Sequence, residues 1–141
     1  MHNGNVKAAG EVAALVRTRG EVERLVIGTD APAGSGVQPL GILRTMSWVA
    51  SLGGLDPALA VAAATGNVAA LHGLNVGVLA PGREADIVVV DAPLGSQAAD
   101  ALGALAIGDT LAVATTVIDG VPRFSKSRNT PPPVRPIVVE A

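Results

Sequence analysis

The spacing of polar and apolar positions changes several times along the chain, and each change marks an element. Over Val6–Arg19, Val12, Leu15 and Val16 recur at helical spacing with Ala8, Ala9, Ala13 and Ala14 between charged positions, and Gly20 closes the run. Asn3 and Asn5 are both candidate caps for this helix. The apolar run within residues 22–27 predicts a strand, and residues 31–36 form a Gly/Pro/Ser loop. Val37 or Gln38 opens a second helix that passes Trp48 and ends near Ser51, with Pro39 tolerated in its first turn. Leu40, Leu43, Trp48 and Leu52 are its expected core positions, and Gly53-Gly54 breaks it. Asp56 as cap and Pro57 at the first helical position then start a helix through residues 58–71 that stops at Gly73.

Beyond Leu74 the pattern shortens. Residues 76–82 read as a turn-rich connector, 85–91 as a strand and 98–106 as a short helix. A further strand at 111–118 turns through Asp119-Gly120 into a short partner at 121–124, which is too little sheet to stand alone. The tail, 125–136, carries Thr130-Pro131-Pro132-Pro133 and reads as a linker-like or polyproline arm, while 137–139 either adds an edge strand or hangs free. No long internal repeat stands out.

Composition narrows the class. The 141 residues suffice for one ordinary domain, and 49% hydrophobic with 16% charged residues exclude disorder. Trp48 and Phe124 are the only aromatic residues, so the interior has to be packed from Ala, Val, Leu and Ile through many close contacts. A net charge of −2 offers no basic face for nucleic acid. Mean hydropathy is positive, but apolar runs such as 58–64 and 111–114 fall far short of the roughly 18 to 20 residues that span a bilayer. Met1-His2-Asn3-Gly4-Asn5 lacks the apolar segment of a signal peptide. The absence of cysteine excludes disulfides, thiolate metal sites and a cysteine nucleophile, and together these features predict a soluble, cytoplasmic protein.

Candidate chemistry centres on Leu25-Val26-Ile27-Gly28-Thr29-Asp30-Ala31-Pro32. An apolar run that ends in glycine and delivers one carboxylate is the pattern of a buried parallel strand whose C-terminal end carries the chemistry of an α/β enzyme. Asp30 in such a turn has a second reading, the satisfaction of local backbone donors. Gly34 and Gly36 match half of a dinucleotide fingerprint, but Gly41 follows at the wrong interval and no P-loop lysine is present. Glycine there suits backbone passing close to a ligand or metal centre. Ser35 lies in no nucleophile elbow. Of the two histidines, His72 reads as a helix C-terminal residue favoured by the dipole, and His2 is a weak candidate for facing a substrate. Arg123, Lys126, Arg128 and Arg135 suggest a solvated arm, with packing on a neighbouring subunit as the alternative. Asp86 and Asp91 bracket a strand and are expected to serve turns.

Three stretches in order resemble the C-terminal part of the metal-dependent amidohydrolases. They are Val26-Ile27-Gly28-Thr29-Asp30-Ala31-Pro32; Ala64-Thr65-Gly66-Asn67-Val68-Ala69-Ala70-Leu71-His72-Gly73-Leu74; and Gly77-Val78-Leu79-Ala80-Pro81-Gly82-Arg83-Glu84-Ala85-Asp86-Ile87-Val88-Val89-Val90-Asp91. Residues 34–45 and the tail around Lys126-Ser127-Arg128-Asn129-Thr130-Pro131-Pro132 look most like enamidases, which open a cyclic enamide ring.

The resemblance implies an α/β fold: the C-terminal portion of a (β/α)8 TIM-like barrel plus part of a small β-sandwich. Residues 1–75 would be the last barrel segments, including the strand of the metal ligand, 76–124 the C-terminal strands of the sandwich and 125–141 a Pro-rich tail. Asp30 would be metal ligand and proton shuttle, and Ala31, Pro32, Ser35 and Gly36 would border the substrate. The implied cofactor is a divalent metal, zinc, as one or two ions, and the implied substrate a cyclic amide or enamide hydrolysed at a C–N bond. A barrel alone needs roughly 250 residues, and the family's histidine ligands have no counterpart here. The expectation is therefore a fragment or one part of a split enzyme, a homo-oligomer or a chain associating with a missing N-terminal part, without nucleic-acid or membrane partners. The alternative is a noncatalytic remnant or assembly module.

Overall fold

With so few aromatic rings, the core is built by backbones approaching one another. A computed structural model describes residues 4–31, 36–125 and 127–138. Helix α1 (Val6–Arg19) is capped by Asn5, whose side chain accepts the Ala8 N–H at 3.0 Å. It crosses α2 (Gly41–Ser51) where Gly53 follows that helix. A Cβ at Gly53 would lie 2.7 Å from Ala13 Cβ and 2.7 Å from the Val49 carbonyl oxygen, so glycine is what lets the helices meet.

Helix α2 begins later than its sequence suggests. Leu40 adopts a left-handed conformation (φ 58°) just ahead of it, and so contributes no helical face. The buried face is Thr45, Met46, Ser47, Val49 and Ala50. Leu52, expected in the core, is 67% exposed: it lies past the helix end, where Gly53 backbone occupies the contact with α1.

The expected helix over 58–71 is two helices, α3 (Pro57–Ala64) and α4 (Gly66–His72), broken at Thr65. Asp56 caps α3 as expected, accepting from Ala58 N–H at 2.8 Å. The Thr65 hydroxyl donates to the Val61 carbonyl at 2.8 Å, and Gly77 (φ 80°) fills the corner so tightly that a Cβ would stand 2.8 Å from the Thr65 carbonyl oxygen.

Strands β1 (Ile87–Asp91), β2 (Ala112–Ile118) and β3 (Val121–Pro122) form an antiparallel sheet in that order, with α5 (Ala101–Ile107) between the first two in sequence. Val89 pairs with Thr115 and Val90 with Val113, which leaves Ala114 as a bulge. The bulge breaks the alternation, and Ala114 and Thr115 are both buried. Helix α5 packs on α2 and α3, so Ala104, Leu105 and Leu111 share one apolar cluster with Ala9, Ala13 and Val49.

Two expectations are corrected. Among the described residues, 22–27 pair with no strand: Val22–Arg24 is a 3-10 turn and the chain then runs extended without a ladder partner. A strand needs a neighbour to accept its N–H groups; here the Ile27 N–H donates to the Ala63 carbonyl of α3 at 2.9 Å. The tail is no free arm either, because Leu94 N–H donates to the Pro132 carbonyl (2.8 Å) and Val134 N–H to that of Ala92 (3.1 Å). Ile137 and Val138 are not in a strand, and Val139 lies outside the described residues. Among the described residues no helix is long and apolar enough to cross a membrane.

Candidate functional site

The segment carrying Asp30 is held from one side by the α3–α4 corner. Leu25 and Ile27 are buried while Val26 and Thr29 are half-buried, so the extended backbone packs one row of side chains inward. The Asn67 side chain of α4 donates from Nδ2 to the carbonyls of Val22 (3.0 Å) and Leu25 (2.8 Å). Beyond Ile27 the chain turns. Thr29 Oγ1 accepts the Ala31 N–H at 3.4 Å, and Asp30 is exposed at φ 54°, a left-handed conformation that aspartate tolerates better than most residues.

Of the predicted site residues, Asp30 and Ala31 are therefore adjacent on an exposed turn, and Gly36 (φ 73°) is exposed. Pro32 and Ser35 lie outside the described residues, as does His2. His72 ends α4 beside left-handed Gly73, as its reading as a helix C-terminal residue anticipates. Among the described residues no three His, Asp or Glu side chains gather closely enough to hold a metal ion. The donor set described here thus does not complete a metal site; Asp30 offers a single carboxylate to one.

A separate groove of about 560 Å³ opens between α2, α3, the 77–79 connector and β1, lined by Ile42, Met46, Val61, Val78 and Val88 among others. Its walls are mostly aliphatic, and Asp30 is not among them.

Away from this groove, Asp91 is a buried carboxylate held by a distant segment. Its buried carboxylate accepts three bonds from Arg135: from the backbone N (2.8 Å) and Nε (3.0 Å) to Oδ2, and from Nη2 (2.5 Å) to Oδ1. The Arg135 side-chain bonds hold the Asp91 carboxyl well below the usual carboxylate range, against the opposing effect of burial and with help from the Arg135 and Ala92 backbone N–H groups. Asp91 is accordingly a clamp for the tail, not a turn residue, and Arg135 is a docked cation. Asp86, by contrast, does serve a turn, accepting the Asp119 N–H at 2.9 Å. Thr130 Oγ1 accepts the Val113 N–H at 3.0 Å beside the bulge. Sequence patterns miss Asn67, Thr130 and the Asp91–Arg135 pair because each joins segments remote in the chain. The one visible signal is a lone amide side chain in the otherwise apolar run 67–71.

Residues 8–123 match the profile of the amidohydrolase family. The chain belongs to that family. An enamidase of Eubacterium barkeri is 51% identical over 132 residues, covering 94% of this chain and 34% of the relative. A crystal structure of an enamidase, described as a member of the amidohydrolase superfamily, superposes with a TM-score of 0.90 at 50% identity over 94% of this chain and 34% of that one. The chain thus spans about a third of the length of these amidohydrolase relatives, and over that third it shares their fold.

Proposed function

We propose that this chain forms the C-terminal part of a metal-dependent hydrolase acting on a C–N bond in a cyclic amide or enamide, with Asp30 as its catalytic carboxylate. The observation that carries the reading is the placement of Asp30: an exposed carboxylate on a turn, at the end of a segment whose other side is anchored in the core, in a chain 51% identical to an enamidase. Residues 1–75 supply the last barrel segments and 76–124 the C-terminal strands of a small sandwich, with Ala31, Pro32, Ser35 and Gly36 along the substrate's edge.

Asp30 would be one ligand of a divalent ion, zinc in this reading, which when held by the further ligands would supply acidification of a water. What Asp30 does is accept a proton from the attacking water at its carboxylate and pass it to the leaving nitrogen. The remaining ligands have to come from outside the described residues. The test joins this chain to the N-terminal two-thirds of the enamidase relative. The hybrid is expected to bind zinc and open a cyclic enamide, and Asp30→Asn to lower kcat by about 10²- to 10⁴-fold without unfolding. Activity within tenfold of the parent hybrid's would refute the role of Asp30.

A second reading, a noncatalytic assembly module, is favoured by the lack of a three-residue ligand cluster among the described residues. A hybrid that folds yet neither binds metal nor turns over would select it.

A further inference from the structure

Asn67 occupies the second position of α4 and spends its amide across 45 and 42 residues of chain, on the carbonyls of Val22 and Leu25. Those two carbonyls bracket the 3-10 turn that leads into the segment ending at Asp30. A side-chain amide has two N–H hydrogens, and two acceptors stand within reach. The Ile27 N–H to the Ala63 carbonyl adds a third tie from the same helix pair. In extended chain a slip of one residue exchanges the two faces: it would carry Val26 inward and turn Leu25 and Ile27 out. The α3–α4 corner therefore decides which residues face the core, and so where Asp30 emerges three positions after Ile27.

We propose that Asn67 is the positioning residue for the Asp30 carboxylate, acting through the Val22 and Leu25 carbonyls without touching substrate. The proposal rests on Asp30 being the site carboxylate, and its test is separable from that reading. Aspartate at position 67 has nearly the same volume but, when ionised, no hydrogen to donate, and it faces two carbonyl oxygens. Alanine removes both donor and volume, and glutamine keeps the donor on a longer arm.

Backbone amide exchange would be followed by NMR on the full chain, in the parent and in Asn67→Asp, Asn67→Ala and Asn67→Gln. With two hydrogen bonds lost, the Ile27 amide is expected to exchange about 10- to 100-fold faster in Asn67→Asp and Asn67→Ala. Resonances of residues 28–31 should shift, α1 and α2 amides should stay within about twofold of the parent, and Asn67→Gln should recover part of the protection. Asn67→Asp decides the matter, because a purely space-filling role would leave its exchange at the parent rate, and that result overturns the proposal. Uniform acceleration through α1 and α2, or failure of the Asp and Gln variants alike to fold, also overturns it. In the hybrid enzyme Asn67→Asp should lower kcat and leave KM unchanged. An Asp30→Asn hybrid that stays active would remove the catalytic reading while leaving the exchange result standing.

Discussion

The crossing of α1 and α2 gives a prediction whose sign differs at two facing glycines. The methyl group of Gly53→Ala would sit 2.7 Å from Ala13 Cβ, 2.7 Å from the Val49 carbonyl oxygen and 3.2 Å from that of Gly10. All three are backbone atoms or a Cβ fixed to backbone, so none can swing aside. Ordinary carbon contacts lie near about 3.5 to 4 Å, and relief requires the helices to part by roughly 1 Å, loosening contacts along Ala9, Ala13, Val49 and Ala50. Overpacking of this kind costs about 1–3 kcal/mol, against which restriction of the unfolded chain returns about 0.4–1 kcal/mol. The net expectation is a loss of about 1–2 kcal/mol.

At Gly10, within α1, the nearest atoms to an added Cβ are 3.9 Å away, an ordinary contact. Alanine there should instead stabilise by about 0.5–1 kcal/mol through helix propensity. Urea unfolding followed by circular dichroism, with linear extrapolation and unchanged slope, measures both. A Gly53→Ala midpoint at or above the parent's, or equal losses at the two positions, would refute the account of the crossing.

Three further outcomes are expected. Asp91→Ala should loosen the tail, seen as several-fold faster trypsin cleavage after Arg128, because the three Arg135 bonds are lost together and only the Thr130 contact and the backbone bonds at 92–94 remain. Since the folded Asp91 carboxyl is held below its usual range, its contribution is complete above that range and disappears only as pH falls through the lowered value. Tail protection should therefore persist from neutral pH into mild acid and fade in stronger acid; loss between pH 7 and 5 would contradict the clamp. Ser47→Ala should be neutral or stabilising by about 0.5 kcal/mol in the same urea assay, because the buried Ser47 hydroxyl has no hydrogen-bond partner among the described residues and alanine is the better helix former.

Elements ruled by neighbouring residues were legible before any folding was considered. Asn5, Asp56 and Gly20 sit at the helix ends that their backbone preferences predict, because capping is settled within four residues. The sheet strands and the Asp119-Gly120 turn follow from short β-branched runs and turn chemistry in the same way. Asp30 was legible as a candidate because a carboxylate after an apolar run and a glycine is a local pattern.

What only the tertiary structure decided depends on partners distant in sequence. Residues 22–27 have the composition of a strand, yet pairing requires an adjacent strand, and the described residues present helix carbonyls and the Asn67 amide in its place. Leu52 has the spacing of a core residue but loses its seat to a backbone contact that exists only when α1 and Gly53 meet. Asp91 and Arg135 read as a turn residue and a solvated cation until the tail folds back and brings the exposed Arg135 guanidinium onto the buried Asp91 carboxylate. The same division applies to Asp30. Its residue type is written in the sequence, whereas its direction is set by helices some forty residues away, through hydrogen bonds that no periodicity encodes.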